Sequence, residues 1–199
     1  VVLPRLSDFT AGLVRLLENL AEGESISLLV VDVQDAFHNI PVGQREQRFT
    51  VAFVGGKYVA YCCLVFGAGI SPTVWGRYAA LAGRSAAAIL GENCVLQIYV
   101  DDPALAIAGT EDVRVHLVTK FLLWLAVLGM PLALAKAHCG AGIDWIGAAV
   151  SVSPPSALCD VNHVVVSVPH QKLETLQQDV QHALRKPVLS KKQLRSLVG

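Results

Sequence analysis

The chain has 199 residues, a formal net charge of zero, and 53% hydrophobic but only 16% charged residues. This composition predicts a substantial packed core in one large domain, or one domain with an appendage, and gives no overall electrostatic attraction to nucleic acid. The apolar run at 121–135 contains Gly129 and Pro131 and is shorter than the roughly 18 residues that suggest a membrane span, so we expect no membrane association. The first residue is Val1 and no signal peptide is visible, which predicts a segment of a longer protein.

The five cysteines are odd in number and show no Cys-x-x-Cys spacing. This pattern favours reduced thiols that act as small core residues, and it gives no ligand spacing for structural zinc. We therefore expect an intracellular protein, in the cytoplasm or the nucleus.

Hydrophobic periodicity and turn residues predict helices and strands in alternation. Helices are expected over 6–20, 71–90 and 110–129, and from Pro169 onward, with a further one capped by Ser190. The helix at 71–90 would have Ser71 as its N-cap and Pro72 at its first helical position. Strands are expected over 26–33, 49–54, 58–64, 94–100, 104–108, 132–136, 143–152 and 164–168, with a linker at 154–156.

The order of these elements predicts an α+β fold. If the hairpin at 49–64 is set aside as an insertion, residues 26–136 read β-α-β-β-α-β, the ferredoxin-like split βαβ plan. In that topology the first and third strands are adjacent in the centre of the sheet. Asp32, at the end of the first strand, is therefore expected beside Asp101 and Asp102, which lie between the second and third strands.

Three carboxylates at neighbouring strand ends are a typical site for Mg²⁺, which prefers oxygen ligands and shares them with substrate phosphates. The sequence thus predicts a site for two Mg²⁺ ions, with Mn²⁺ as an alternative metal, at Asp32, Asp101 and Asp102.

The motifs around these aspartates resemble those of reverse transcriptases of the retrotransposon and retrovirus-like type. Val31 to Phe37 resembles the first catalytic motif of the family, and Tyr99-Val-Asp-Asp102 resembles its Tyr-x-Asp-Asp signature. Further matches follow in the order that the family has them. Residues 64–72 resemble the template and nucleotide-positioning motif, and residues 128–132 with Lys136 resemble the fourth motif. Residues 145–147 resemble the primer-gripping hairpin, and residues 169–172 and 194–199 resemble the thumb.

This resemblance implies a polymerase palm with a ferredoxin-like βαββαβ core, a partial fingers hairpin and the start of a helical thumb. The palm would occupy residues 1–153 and the start of the thumb residues 154–199. Phe66 stands where retroviral enzymes usually have glutamine, which favours the retrotransposon side, and Pro103 after the aspartate pair is unusual. The basic fingers segment of the family, which contacts the triphosphate and the template, has no counterpart in the sequence.

The family's activity is RNA-directed DNA synthesis on an RNA or DNA template-primer with dNTPs, in a polyprotein with other retroelement domains. Asp32 and Asp101 would hold the metal ions, Asp102 would assist, and Lys136 would protonate pyrophosphate, although a solvated strand-end lysine fits equally well. Nucleotide-contacting residues would be Asp35, Ala36, Phe37, Phe66, Gly67 and Tyr99, of which Asp35 could instead cap a turn. Nucleic-acid contacts would be Ser71, Pro72, Trp145, Gly147, Lys191, Lys192 and Arg195.

The sequence leaves two other functions open. One is a catalytically inactive polymerase-fold remnant that only binds nucleic acid or partners, which the missing fingers and the zero net charge favour. The other is an RNA-dependent RNA polymerase, against which Phe37 and the Tyr-Val-Asp-Asp form argue, because a bulky ring there would exclude a 2′-hydroxyl.

Overall fold

The computed structural model describes residues 3–154 and 161–185. Most of the predicted linker, the helix expected at Ser190 and the basic residues Lys191, Lys192 and Arg195 lie outside these ranges. The four helices within them are α1 (Leu6–Glu18), α2 (Ser71–Leu90), α3 (Glu111–Val127) and α4 (His170–Leu184). The strands are β1 (Ser25–Val30), β2 (Val51–Val54), β3 (Lys57–Ala60), β4 (Cys94–Tyr99), β5 (Asp102–Gly109), β6 (His138–Gly140), β7 (Gly142–Trp145), β8 (Ala148–Ser153) and β9 (His163–Ser167).

The central sheet has the strand order β4-β5-β1-β6, and all of its neighbours are antiparallel. Strand β1 pairs with β5 from Ser25 opposite Gly109 to Val30 opposite Ala104. This is the split βαβ arrangement predicted from the element order, with the first and third strands adjacent at the centre.

Each face of this sheet is covered by its own apolar layer. On one face Leu29, Leu105 and Ile107 pack with helices α2 and α3, whose Trp75 and Phe121 are fully buried. On the other face Leu28 and the alanines of β5 pack with α1 and the β7–β8 hairpin. The residues in strand β5 alternate between alanine and larger aliphatic side chains because one face must admit the bulky rings of α1 and β7.

Two smaller sheets complete the described part of the chain. Strands β2 and β3 form a hairpin with a two-residue turn at Gly55 and Gly56, and β7, β8 and β9 form a three-stranded sheet. Because β9 pairs with β8 along residues Ser153 to Ala149, the segment after the expected linker is joined to the sheet before it. The division at residue 153 remains a prediction.

The strand predicted at 132–136 is wrong. Leu132 makes only an isolated bridge with Val33, and Leu134–Lys136 forms a 3₁₀ turn. The fourth strand of the sheet is β6, which pairs with β1 from Leu28 opposite Gly140 to Val30 opposite His138. Alanine, leucine and lysine favour helical turns over strands, which explains why this apolar stretch turns instead of extending.

Three local predictions also need correction. Ile70 takes the N-cap position of α2, so Ser71 is the first helical residue, and its hydroxyl donates to the Val65 carbonyl at 2.8 Å. Strand β3 ends at Ala60, four residues before its predicted end. Cys62 and Cys139 are exposed, so these two thiols are not core residues. Of the helices in the described ranges, none combines the length and apolar character that crossing a membrane requires.

Candidate active site

The site is built around the β4–β5 hairpin, whose turn consists of Val100 and Asp101. Tyr99 pairs with Asp102 across the hairpin, so Asp102 is the first residue of β5. The backbone after β1 lies against this turn: the Val33 N–H donates to the Asp101 carbonyl at 2.8 Å and the Val31 N–H to the Pro103 carbonyl at 3.1 Å. Because these bonds hold both neighbours of Asp32, they place Asp32 beside Asp101 and Asp102.

Pro103 removes a hydrogen bond on the β1 side of this arrangement. It lies opposite Ile98 on β4, and its carbonyl accepts from Val31 on the other edge. Since proline has no N–H, it cannot donate in return. The backbone next to the aspartates is therefore tied to β1 by fewer bonds than the rest of β5.

Two buried tryptophans hold the hairpin from opposite faces of the sheet. The Trp75 indole N–H on α2 donates to the Val100 carbonyl at 2.7 Å, and the Trp145 indole N–H on β7 donates to the Asp102 carbonyl at 2.9 Å. Trp145 also packs against Phe9 of α1, with ring centroids 5.1 Å apart. A buried indole needs a hydrogen-bond acceptor, and here the acceptor in each case is the backbone of the hairpin.

Asp32, Asp101 and Asp102 line one cleft of about 420 Å³ with Lys136 and Asp144. The Lys136 ammonium lies 2.5 Å from Asp32 Oδ2. Burial raises the pKa of Asp102 above its usual value, and the negative charges of Asp101 and Asp32 raise it further, while Lys136 lowers it. The pKa of Lys136 is also raised, chiefly by its hydrogen bond and charge interaction with Asp32, so its side chain stays protonated.

The chemistry of this cleft fits divalent metal ions, although its side chains are not arranged around one. Within the described ranges, no three His, Cys, Asp or Glu side chains stand close enough together to hold a metal ion. The donor set nevertheless consists of carboxylates that repel one another, and an ammonium ion occupies one of them as a stand-in cation. Hard oxygen ligands of this kind suit Mg²⁺ and Mn²⁺.

Backbone strain is concentrated around the site. Among the described residues, the non-glycine residues with positive φ are Asp35 (51°), Val100 (54°) and Ile146 (41°). Val100 forms the aspartate turn, Ile146 lines the cleft in the β7–β8 turn, and Asp35 follows Asp32 by three residues. A β-branched residue in this conformation is unusual, and such strain commonly occurs at functional sites.

Two of the predicted nucleotide-contacting residues, Phe37 and Phe66, form an aromatic cluster with His38 outside the lining of the acidic cleft. Phe37 is 9% exposed and packs against Phe66, which is 72% exposed, with ring centroids 4.8 Å apart and the ring planes tilted by 55°. His38 meets the same Phe66 ring edge-on at 5.9 Å. Phe37 is thus part of the core and is covered by Phe66. Ala36 and Phe37 are both buried in a 3₁₀ turn, Ala36–Asn39.

The other predicted site residues are placed separately. Asp35 is at the N-cap of that turn without a side-chain capping bond, Gly67 has open space around it at φ 90°, and Tyr99 packs with the α1 side of the core. Ser71 is fully buried, and Pro72 lines a groove between α2 and β4. Gly147 has a φ of 87°, and a Cβ there would lie 3.0 Å from the Lys172 ammonium.

Two residues of the site were not predicted from the sequence. Trp75 lies in an alanine-rich helix, and only the tertiary structure shows that its indole N–H reaches Val100. Asp144 precedes the Trp145 motif and adds a fourth carboxylate to the cleft.

The sequence matches the model of the family described as "Reverse transcriptase (RNA-dependent DNA polymerase)" over residues 4–150. None of the curated protein sequences matches the chain significantly.

Among solved structures the chain is similar to the foamy viral protease-reverse transcriptase in complex with an RNA/DNA hybrid, at 17% identity and a TM-score of 0.61, over 92% of this chain and 22% of that one. It also resembles a dRH form of that protein in complex with double-stranded DNA, at 16% identity and a TM-score of 0.64, over 94% of this chain and 28% of the other. A further complex with double-stranded DNA matches at 18% identity and a TM-score of 0.60, covering 94% and 34% of the two chains. At these identities the likeness shows the fold alone. The chain spans about a third or less of the proteins it resembles.

Proposed function

Because the chain belongs to the reverse transcriptase family, we propose that its acidic cleft catalyses nucleotidyl transfer from a dNTP to a primer 3′-hydroxyl in RNA-directed DNA synthesis. The observation that carries this proposal is the placement of Asp32, Asp101 and Asp102 in one cleft by two adjacent central strands. Phosphoryl transfer depends mainly on positioning and charge neutralisation, which is what a carboxylate-lined cleft with bound cations supplies.

Asp32 and Asp101 would hold two divalent ions, and Asp102 would support them. Such ions lower the pKa of the attacking hydroxyl and neutralise the triphosphate and leaving pyrophosphate. Lys136, protonated and 71% exposed, could give a proton from Nζ to a pyrophosphate oxygen.

The template-primer is the proposed macromolecular partner. The solved relatives hold an RNA/DNA hybrid and double-stranded DNA, which supports the same class of ligand here. Trp145 and Gly147 on the β7–β8 hairpin stand next to the cleft and would position the primer end. We further propose that the chain works within a retroelement polyprotein inside the cell, with residues outside this chain completing the fingers.

A non-catalytic remnant that only binds nucleic acid is the second candidate. Two observations favour this candidate. The Lys136 ammonium lies on Asp32, and within the described residues the acidic side chains are not arranged around a metal ion.

Primer extension separates the two candidates. The chain, with the fingers of a relative supplied in fusion, should extend a labelled primer on an RNA template with Mg²⁺ and stop with EDTA. Asp32→Asn should lower the rate by about a hundred- to a thousandfold, as loss of a key electrostatic group does, while the melting temperature and template-primer affinity stay close to those of the parent. Gln34→Asn, a neighbouring change outside the cleft lining, is the control. Extension by Asp32→Asn at the parent rate would refute the assignment, and binding without Mg²⁺-dependent extension by the parent would favour the remnant.

A further inference from the structure

Lys136 is the single basic residue among the described residues that line the acidic cleft. It shares this lining with four carboxylates, those of Asp32, Asp101, Asp102 and Asp144. Its side chain is 71% exposed while its ammonium lies 2.5 Å from Asp32 Oδ2. Because so little of the side chain is packed, the attraction between charges, and not burial, holds the ammonium there.

The backbone places Lys136 at this carboxylate. The Ala133 N–H donates to the Asp32 carbonyl at 2.9 Å, and the Lys136 N–H donates in turn to the Ala133 carbonyl at 2.9 Å. The 3₁₀ turn that replaces the predicted strand is thus fixed directly beside Asp32. An extended strand would have carried residue 136 further along the sheet, since a strand rises faster per residue than a turn.

We propose that Lys136 is the resident cation of the cleft in the metal-free protein, and that a divalent ion binds by displacing its ammonium from Asp32. An ammonium and a divalent ion on the same carboxylate repel each other, so the ammonium at Asp32 Oδ2 opposes binding of a metal ion at about 2.1 Å from that carboxylate. The long, flexible stem lets the ammonium leave without moving the backbone. Once displaced, it is free to meet the phosphates of an incoming nucleotide.

This exchange rests on the proposed metal site at Asp32. It explains why an ammonium ion lies among the carboxylates of the cleft. Four carboxylates that line one cleft repel one another when no metal is bound. An internal ammonium relieves part of this repulsion and so stabilises the metal-free fold. The consequence is that metal affinity is lower than the carboxylates alone would give.

The test is Mn²⁺ binding to the purified chain without nucleic acid or nucleotide, measured from the free Mn²⁺ signal in electron paramagnetic resonance. Lys136→Met keeps most of the side-chain length but removes the competing charge, and it should lower the Kd for Mn²⁺ about fivefold, in keeping with the modest strength of an exposed ion pair. Lys136→Arg keeps the charge and should bind Mn²⁺ as the parent does. Lys57→Met removes an exposed charge from the β2–β3 hairpin and controls for net charge.

A second pair of variants separates this proposal from the one on which it rests. Asp32→Asn should weaken Mn²⁺ binding, and adding Lys136→Met to it should then change little, because the competition is for Asp32. If Asp32→Asn weakens binding but Lys136→Met leaves the Kd unchanged or raises it, the exchange is refuted and the metal site stands. If Asp32→Asn leaves binding unchanged, both proposals fail.

Discussion

The chemistry of individual residues at this site is governed by what covers them. Phe37 has its ring in the apolar core and in contact with the Phe66 ring, while Asp32 stands three residues before the strained Asp35. Phe37 is thus a packing residue, and it is also the residue whose bulky ring, as the family resemblance implies, would exclude a ribose 2′-hydroxyl. A substitution there has to be followed by stability and by substrate choice in parallel.

Phe37→Val should open space for a ribose 2′-hydroxyl. We expect deoxynucleotide incorporation to stay within about tenfold of the parent, or ~1.4 kcal/mol of barrier, while ribonucleotide incorporation rises considerably more. Loss of a buried ring should also cost about 1–3 kcal/mol of unfolding free energy. Single-nucleotide insertion with dNTP and rNTP measures the first effect and urea unfolding the second.

Phe66→Val is the matched control for this prediction, because it removes the covering ring and leaves Phe37 in place. It should destabilise the protein less, since Phe66 is largely exposed. If Phe37→Val lowers stability while sugar discrimination in the folded fraction is unchanged, Phe37 is a core residue only.

The thiol of Cys94 shows how burial changes the pKa of a side chain. Burial raises the pKa of its thiol from 9.0 to about 11, and Lys120 lowers it slightly. Since the folded-state pKa is the higher one, the stability contributed by the neutral thiol is complete below pH 9.0 and is lost as the pH rises through about 11. At pH 8 the Cys94 thiolate should be about a hundredfold scarcer than that of an unshifted thiol.

Alkylation with iodoacetamide at pH 8, resolved by peptide mass spectrometry, should therefore modify Cys62 and Cys139 at least tenfold faster than Cys94. Both reference thiols are exposed. The difference should shrink in urea, where all three become accessible. Equal rates in the folded protein would contradict the burial of Cys94.

At the scale of elements, the close approach of α1 to β4 depends on Gly12. A Cβ on this residue would lie 2.5 Å from Val95 Cγ1, so the helix and the strand leave no room for a methyl group. Glycine normally weakens a helix interior by about 1 kcal/mol relative to alanine. Here close packing outweighs helix propensity.

Gly12→Ala should consequently lower the free energy of unfolding by about 1–3 kcal/mol, the range for overpacked cores. Urea denaturation measures this effect, and Gly12→Ala combined with Val95→Ala should recover part of it. Gly43→Ala, where a Cβ would meet nothing within 4 Å, should be close to neutral. A stabilised Gly12→Ala variant would show that α1 does not lie against β4 as described.

The elements that the sequence predicted well are those whose pattern is set locally. The apolar runs of β1, β4 and β5 end at carboxylates or turn residues, so their order and the neighbourhood of Asp32, Asp101 and Asp102 follow from the sequence. The strand predicted at 132–136 was wrong because a short apolar run is typical of a buried strand, whereas the alanines and leucines of this run favour a helical turn. The roles of Trp75 and Asp144 depend on carbonyls and carboxylates brought close only by folding, and no local pattern encodes them.

For the molecule as a whole, charge is balanced but unevenly distributed. The net charge is zero, the proposed active cleft is acidic, and positive charges accumulate from Lys172 to Arg195. A polyanion can then be attracted to one end of the chain while the cleft repels it until cations are bound. Binding of a template-primer should therefore depend on a few localised basic residues instead of the overall charge.

Lys191, Lys192 and Arg195 are the residues we expect to contact the duplex backbone, and they lie outside the described residues. Replacing all three with alanine should weaken binding regardless of sequence and flatten the salt dependence of log Kd, because each phosphate contact contributes about 0.9 to that slope on B-form DNA. Fluorescence anisotropy of a labelled duplex between low and moderate salt measures the slope.

The control is a second triple alanine variant with the same change in net charge at scattered positions. It replaces Arg15, Arg84 and Lys120, one on each of α1, α2 and α3. If both triple variants flatten the slope equally, the effect is one of net charge, and if the first leaves it unchanged, these residues form a solvated basic face without contact to the duplex.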